Sequence, residues 1–377
     1  MNYLTYFIQH YGLFITLCVY VIFCFIVTFL FTALFCPVTT SQPKSAIHPI
    51  HNIDFIKILL TYGIVLLHQY QAFSVEKNAF YCVEGFFIIS GFLLHYTYYS
   101  QNSFKNFILK KFVCFMPYII LSNMLTLFLY YSFNSLKFFS GIFMFACTAI
   151  FPEHTYYGPT WYLIVLFWIS LFYFALLKTC KKEVCGIIIG IIIFIALSST
   201  HNVIYPGVVG IENISHEIPF FTNAFIRGFV GIGLGYFLAN LCSFQTVNTK
   251  TSLLLYTLLE VFLLIYLALA FFTDIYSISY IMVLISFCIL FWLFFNHKSY
   301  LSAWLEKINW RPVSKYMLAI FMTHWFICQL QGQFNLWVEY QKSTRIVLCL
   351  ICSTVLGFFA YHIVNLGYLI SRRLRKG

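Results

Sequence analysis

Long apolar runs alternate with short polar stretches from one end of the chain to the other. Runs at 11–34, 53–69, 79–98, 112–132, 159–178, 184–198, 219–241, 252–272, 277–295, 313–334 and 346–370 have membrane-crossing length, about 17–25 residues apart from the shorter 184–198. They predict an all-α polytopic membrane helix bundle of about eleven transmembrane helices. No basic segment precedes 11–34 and no small-x-small cleavage pattern follows it, so it reads as a retained helix rather than a signal. Residues 1–36 then form an additional N-terminal span, 37–51 a polar linker, 52–370 the main membrane domain and 371–377 a basic tail.

Residues 136–151 are a further apolar run, and charge decides how to treat it. If it crossed, Lys178, Lys181 and Lys182 would fall outside and every later basic loop would change side. Read as re-entrant or interfacial, it lets Lys44, Lys105, Lys110, Lys111, Lys178, Lys181, Lys182, Lys250, Lys298, Lys307, Arg311 and the tail all face the cytoplasm. The N-terminus is then outside and the C-terminus inside.

Composition supports the class. Of 377 residues, 62% are apolar and 9% charged, more apolar surface than a soluble core could hide. The formal charge of +11 sits in short loops and the tail, where it sets orientation rather than marking a nucleic-acid surface. Thirteen cysteines lie mostly in apolar runs without a CxxC pair and read as small hydrophobes, with no metal site or disulfide framework implied.

Ionisable residues inside the spans are the places to look for chemistry, because hydrocarbon tolerates them only beside a cavity or a partner. Lys57 and His68 stand eleven positions apart in one predicted helix, about 16 Å of rise and three turns, so they share a face at different depths. Lys57 suits a phosphate or carboxylate as a point charge. Imidazole suits the abstraction of a hydroxyl proton near neutral pH. The plain alternatives are a lysine snorkelling beside Asp54 and an interfacial histidine. Arg227 lies within another apolar run, followed by Gly231 and Gly235 at a spacing that permits close helix contact.

Asn52-Ile53-Asp54-Phe55-Ile56-Lys57, then His68, then Cys82-Val83-Glu84-Gly85-Phe86-Phe87-Ile88-Ile89-Ser90-Gly91-Phe92 resemble the acyltransferase 3 family of integral-membrane acyltransferases. That family opens on a basic residue, ten residues and a histidine, then an acidic residue, a Phe-Phe pair and Ser-Gly-Phe. Phe107 to Lys111 with Pro117, Trp161-Tyr162-Leu163, and Tyr316 with His324 extend the likeness, with lysines where arginines are commoner. The resemblance implies a ten-helix core, with the first span additional. It also implies transfer of an acyl group, usually acetyl from cytoplasmic acetyl-CoA, to hydroxyls of extracytoplasmic sugars or surface polysaccharides.

On that footing His68 is the expected general base. Glu84 either orients its imidazole or binds acceptor hydroxyls. Lys57, Lys105, Lys110 and Lys111 are candidate contacts for the anionic donor, the last three doubling as orientation signals. Trp161, Arg227 and His324 are candidate donors to the acceptor or the developing oxyanion, with helix packing as their plain alternative. The expected partners are a carbohydrate or lipid-linked glycan and membrane lipids; the expected location is a bacterial inner membrane. A transporter or flippase for a lipid-linked sugar is the competing class, since an ionisable face inside a bundle also suits a translocation path.

Overall fold

In hydrocarbon no water reaches backbone N–H and C=O groups, so apolar runs close their hydrogen bonds internally as helices. The computed structural model describes residues 12–36, 51–72, 78–100, 103–129, 133–146, 148, 158–204, 222–242, 250–272, 280–334, 337 and 340–375. In chain order the helices are α1 (Leu13–Phe35), α2 (His51–Ala72), α3 (Cys82–Ser100), α4 (Phe104–Leu127), α5 (Ser135–Ile142), α6 (Thr160–Thr179), α7 (Lys182–Ile204) and α8 (Asn223–Leu241). They continue with α9 (Lys250–Phe272), α10 (Tyr280–Phe295), α11 (Tyr300–Glu306), α12 (Arg311–Ser314), α13 (Met317–Phe321), α14 (His324–Phe334) and α15 (Lys342–Leu374). A 3-10 turn, Asn78–Tyr81, leads into α3. The polytopic helical bundle expected from the apolar runs is the architecture observed.

Among the described residues, α1, α4, α6, α8, α9 and α15 are each long and apolar enough to cross a membrane, and α10 with α11 would add a seventh as a pair bent by 60°. Helix α2 is 22 residues long but carries Asp54, Lys57, His68 and Gln69. It is a helix whose place in the bundle depends on partners. The linker expected at 37–51 lies outside the described residues except for His51.

Two elements differ from the sequence expectation, and the run 136–151, read as re-entrant or interfacial, agrees with it. The span placed at 112–132 starts earlier, at Phe104, where the Ser103 hydroxyl accepts from the Asn106 N–H at 3.4 Å. Lys105, Lys110 and Lys111 therefore ride on α4 instead of preceding it. The run 136–151 contributes the eight-residue α5, about 12 Å long and too short to cross. The single span expected at 313–334 is three pieces, α12, α13 and α14, with a break at Met322 and Thr323. There the Thr323 hydroxyl donates to the Ala319 carbonyl at 2.9 Å, a side-chain bond that competes with the helical ladder.

The two ends of α2 are tied down by different chemistry. At its start the Glu306 carboxylate accepts the N–H groups of His51 and Asn52 at 3.0 and 2.9 Å, satisfying donors that the helix itself cannot. The Asn52 amide donates to the carbonyls of Phe294 and Ser302 at 2.8 and 3.0 Å. At its other end Gln69 donates to the Cys328 sulfur of α14 at 2.7 Å.

Helices α3 and α8 pack with their backbones in contact. A Cβ at Gly91 would run into the Ile232 carbonyl, and one at Gly235 into the Ile88 carbonyl. Only glycine allows this approach, which holds Glu84 of α3 against Arg227 of α8. Helix α1 lies along α4 and α15, with the Tyr20 hydroxyl donating to the Met124 carbonyl at 2.5 Å and the Ser371 hydroxyl to the Cys36 carbonyl at 2.8 Å. Gly235→Ala should destabilise the protein by about 1–3 kcal/mol in detergent thermal unfolding. Gly186→Ala on α7, where an added Cβ meets nothing within 4 Å, is the control and should lose nothing. Equal midpoints for the two variants would contradict the close α3–α8 crossing.

Candidate functional site

Lys57 and His68 both belong to α2, and their surroundings differ. Lys57 donates to the Asp54 carboxylate one turn earlier at 3.3 Å and keeps about a third of its side chain exposed, 32%. Between the two residues on the shared face, Thr61, Ile64 and Val65 are buried. Val65 packs with Met317 and Ile320 of α13, so at this level the face is covered by side chains.

At the far end of α2 the His68 ring lies nearly parallel to that of His324, 19° between planes and 4.9 Å between centroids. His68 Nδ1 and His324 Nε2 are 2.7 Å apart, a hydrogen bond. The other nitrogen of His324, Nδ1, sits 2.7 Å from the Phe321 carbonyl. Trp325 meets the His68 ring edge-on at 4.7 Å and 72°. The break in the 311–334 segment falls between the two residues: Phe321 ends α13, and His324 begins α14 and reaches back to its carbonyl.

Glu84 does not take the role of imidazole partner that was one of its two expected uses. Its Oε1 accepts from Arg227 Nε at 2.6 Å, an ion pair in which both residues are buried, 0% and 7% exposed. The guanidinium is flanked by the rings of Trp161 and Phe80 at 5.3 and 5.6 Å, within cation–π range. A carboxylate and an arginine introduced separately into an apolar bundle are each costly, and together they neutralise one another. Arg227, expected as an oxyanion donor, thus gives its Nε–H to Glu84, while its buried Nη2 has no hydrogen-bond partner among the described residues.

An aromatic bridge joins the two polar groups. Phe87 contacts Trp161 and Tyr162 with centroids 6.2 and 4.9 Å apart, and Tyr162 meets Phe321 at 5.6 Å. Phe321 in turn lies 5.8 Å from the His324 ring. His68, His324, Glu84, Arg227 and Trp161 are therefore brought to one end of the bundle.

The lysines lie at the other end. From Glu84 to Tyr98 helix α3 rises about 21 Å, and Tyr98 there carries Lys178 over its ring at 4.6 Å. Phe107 of α4 stacks on Phe174 of α6 at 4.1 Å. Lys111 donates to the Ser170 hydroxyl at 3.1 Å, its ammonium 5.5 and 5.9 Å from the Phe107 and Phe115 rings. Lys105 and Lys110 ride on the same first turns of α4. Lys57 stands near the capped start of α2, whose Asn52 bonds to the end of α10, so it too is remote from the imidazoles.

The acyltransferase 3 family model, an acyltransferase domain, matches residues 50–363. The chain belongs to the acyltransferase 3 family. Neither a curated protein nor a solved structure matches it. Membership makes it an acyltransferase, and its apolar helices make it a membrane protein. The matched stretch begins just before α2, so α1 precedes it.

For this acyltransferase 3 member, a cavity of about 330 Å³ between α2, α9 and α10 is lined by Ile56, Leu60, Gly63, Leu267, Phe287 and Phe291 among others, and carries no carboxylate, imidazole or amine. It lies on the opposite face of α2 from the histidine pair. Among the described residues no group of three His, Cys, Asp or Glu side chains could hold a metal ion. Sequence reasoning missed the direct His68–His324 bond and the edge contact of Trp325. The only available signal was that His68 falls at the end of one apolar run and His324 inside another, where an imidazole must find a partner.

Breaking the buried pair should be costly in the acyltransferase. Arg227→Leu or Glu84→Leu alone should lower stability by about 3–5 kcal/mol. The Glu84→Leu/Arg227→Leu double variant should be more stable than either single one. Unfolding midpoints in detergent would measure this, and strictly additive losses would show that the two charges do not support each other.

Proposed function

We propose that the protein transfers an acyl group, acetyl from cytoplasmic acetyl-CoA, to a hydroxyl of an extracytoplasmic or exported polysaccharide, with His68 as general base. The observation that carries this reading is the state of the His68 ring. One nitrogen is bonded to His324, and Nε2 has no hydrogen-bond partner among the described residues. In the proposed step the acceptor hydroxyl gives its proton to His68 Nε2 while its oxygen attacks the thioester carbon. The carbon–sulfur bond breaks, and the departing thiolate takes the proton back from the imidazolium. An ester and a free thiol result, and the enzyme is unchanged.

The separation of charges along the bundle supports the same reading. Lys57, Lys105, Lys110, Lys111 and Lys178 gather at the end away from the imidazoles, where an anionic donor headgroup would be attracted. A pantetheine-length arm would bridge the about 16 Å between Lys57 and His68. Along this face of α2 the arm has to displace Met317 and Ile320, which pack on Val65. With the lysine end cytoplasmic, as the positive-inside rule predicts, donor and acceptor approach from opposite sides of a bacterial inner membrane, the N-terminus outside and the C-terminus inside. Trp161 stands with Arg227 and Glu84 where the acceptor would arrive. The carbohydrate or lipid-linked glycan is then a substrate and the lipid bilayer the solvent.

Purified His68→Ala protein in proteoliposomes supplied with acetyl-CoA and the acceptor glycan should release free CoA at least about 100-fold more slowly than the parent. Unchanged acceptor-dependent turnover would remove His68 from the chemistry. Movement of the glycan with no thioester consumed would favour a flippase instead.

A further inference from the structure

We infer that His324 is a positioning residue that fixes which nitrogen of His68 is the base; this deepens the general-base reading above and rests on it. A carbonyl oxygen only accepts hydrogen bonds, so the 2.7 Å contact between His324 Nδ1 and the Phe321 carbonyl places a proton on Nδ1. In the neutral ring the second nitrogen, Nε2, is then a bare acceptor. It lies 2.7 Å from His68 Nδ1, which must donate to it. His68 is held in the Nδ1–H tautomer, with its lone pair on Nε2, the nitrogen that has no partner among the described residues.

Ring packing reinforces the choice. Turning the His68 ring over would carry Nδ1 away from His324, and Trp325 stands edge-on against that ring at 4.7 Å. The near-parallel His324 ring is itself pinned by its bond to the main chain at the α13–α14 break. When Nε2 accepts the proton of an attacking hydroxyl, the Nδ1–H bond to His324 becomes charge-assisted and shortens. The positive charge is shared by two imidazoles, and Phe321 steadies the far side. On collapse of the intermediate the proton leaves from His68 Nε2 to the thiolate, so His324 ends as it began. The third-group role that a carboxylate fills in other catalytic triads is filled here by a neutral ring fastened to a carbonyl.

Solid-state NMR of the full-length protein in bilayers, labelled with 15N-histidine and held at mildly alkaline pH, reads the tautomer without any acyl donor. The His68 signals, identified by their loss in His68→Gln, should show a protonated Nδ1 and a bare Nε2; a bare Nδ1 with a protonated Nε2 would overturn the inference. In acyl-transfer kinetics His324→Ala should lower kcat by about 100-fold while acceptor KM stays within about twofold. His324→Gln, whose amide oxygen reaches the position of the ring Nε2, should restore at least about a tenth of the parent kcat. Full kcat in His324→Ala would also overturn the inference. Because the spectrum needs no turnover, its outcome is separate from that of His68→Ala, which tests whether His68 is the base at all.

Discussion

A polar atom placed in hydrocarbon must find its partner inside the protein, and the bundle is arranged around how few such partners it can supply. The start of α2 is closed by Glu306 and Asn52, whose carboxylate and amide absorb main-chain groups from three elements. The other end is closed by pairs of side chains. Glu84 takes Arg227, and His68 takes His324. Each choice excludes others. If Glu84 turned to His68, Arg227 would be left as an uncompensated buried cation, a cost of several kcal/mol.

The same constraint is met beside the imidazoles, where the segment is interrupted. The Phe321 carbonyl stands at the end of α13, and one of its two lone pairs takes the His324 Nδ1–H. With the break at Met322 and Thr323, the carbonyl serves the ring, and Thr323 covers the preceding turn through its hydroxyl. Irregular backbone at membrane depth survives only where protein surrounds it. Met317, Ile320, Thr323 and His324 are all buried here, and α2 and α15 both pack against this segment. The local departure from helical geometry and the candidate chemistry therefore lie at one place.

Much of the fold was legible because an apolar run of bilayer length has essentially one solution, a helix. Period alone also put Lys57 and His68 on one face of α2. What surrounds that face was not legible, because Met317 and Ile320 are some 250 positions away and nothing in α2 specifies which neighbour packs on Val65. The Glu84–Arg227 pair is an intermediate case. Each residue announces itself as an ion in an apolar run and so requires a counter-ion, and Gly91 and Gly235 advertise close contact, but their match across 143 positions appears only in three dimensions. The break before His324 left no trace in composition: no proline or glycine marks it, and a side-chain bond from Thr323 is too ordinary a signal to read.

These placements bear on why the group beside His68 is a neutral ring. A carboxylate there would bind imidazolium more tightly, but before the reaction it would stand in the apolar bundle as a net charge requiring its own escort. The escort available at this end, Arg227, is held by Glu84 and by the rings of Phe80 and Trp161. A second neutral imidazole carries no charge and, in the proposed reaction, would accept part of one only while the proton is in transit. In the proposed reaction the His68–His324 pair thus adds no further buried ion at rest and still offers the developing imidazolium a hydrogen-bond acceptor, the compromise that a base set among hydrocarbon side chains has to reach.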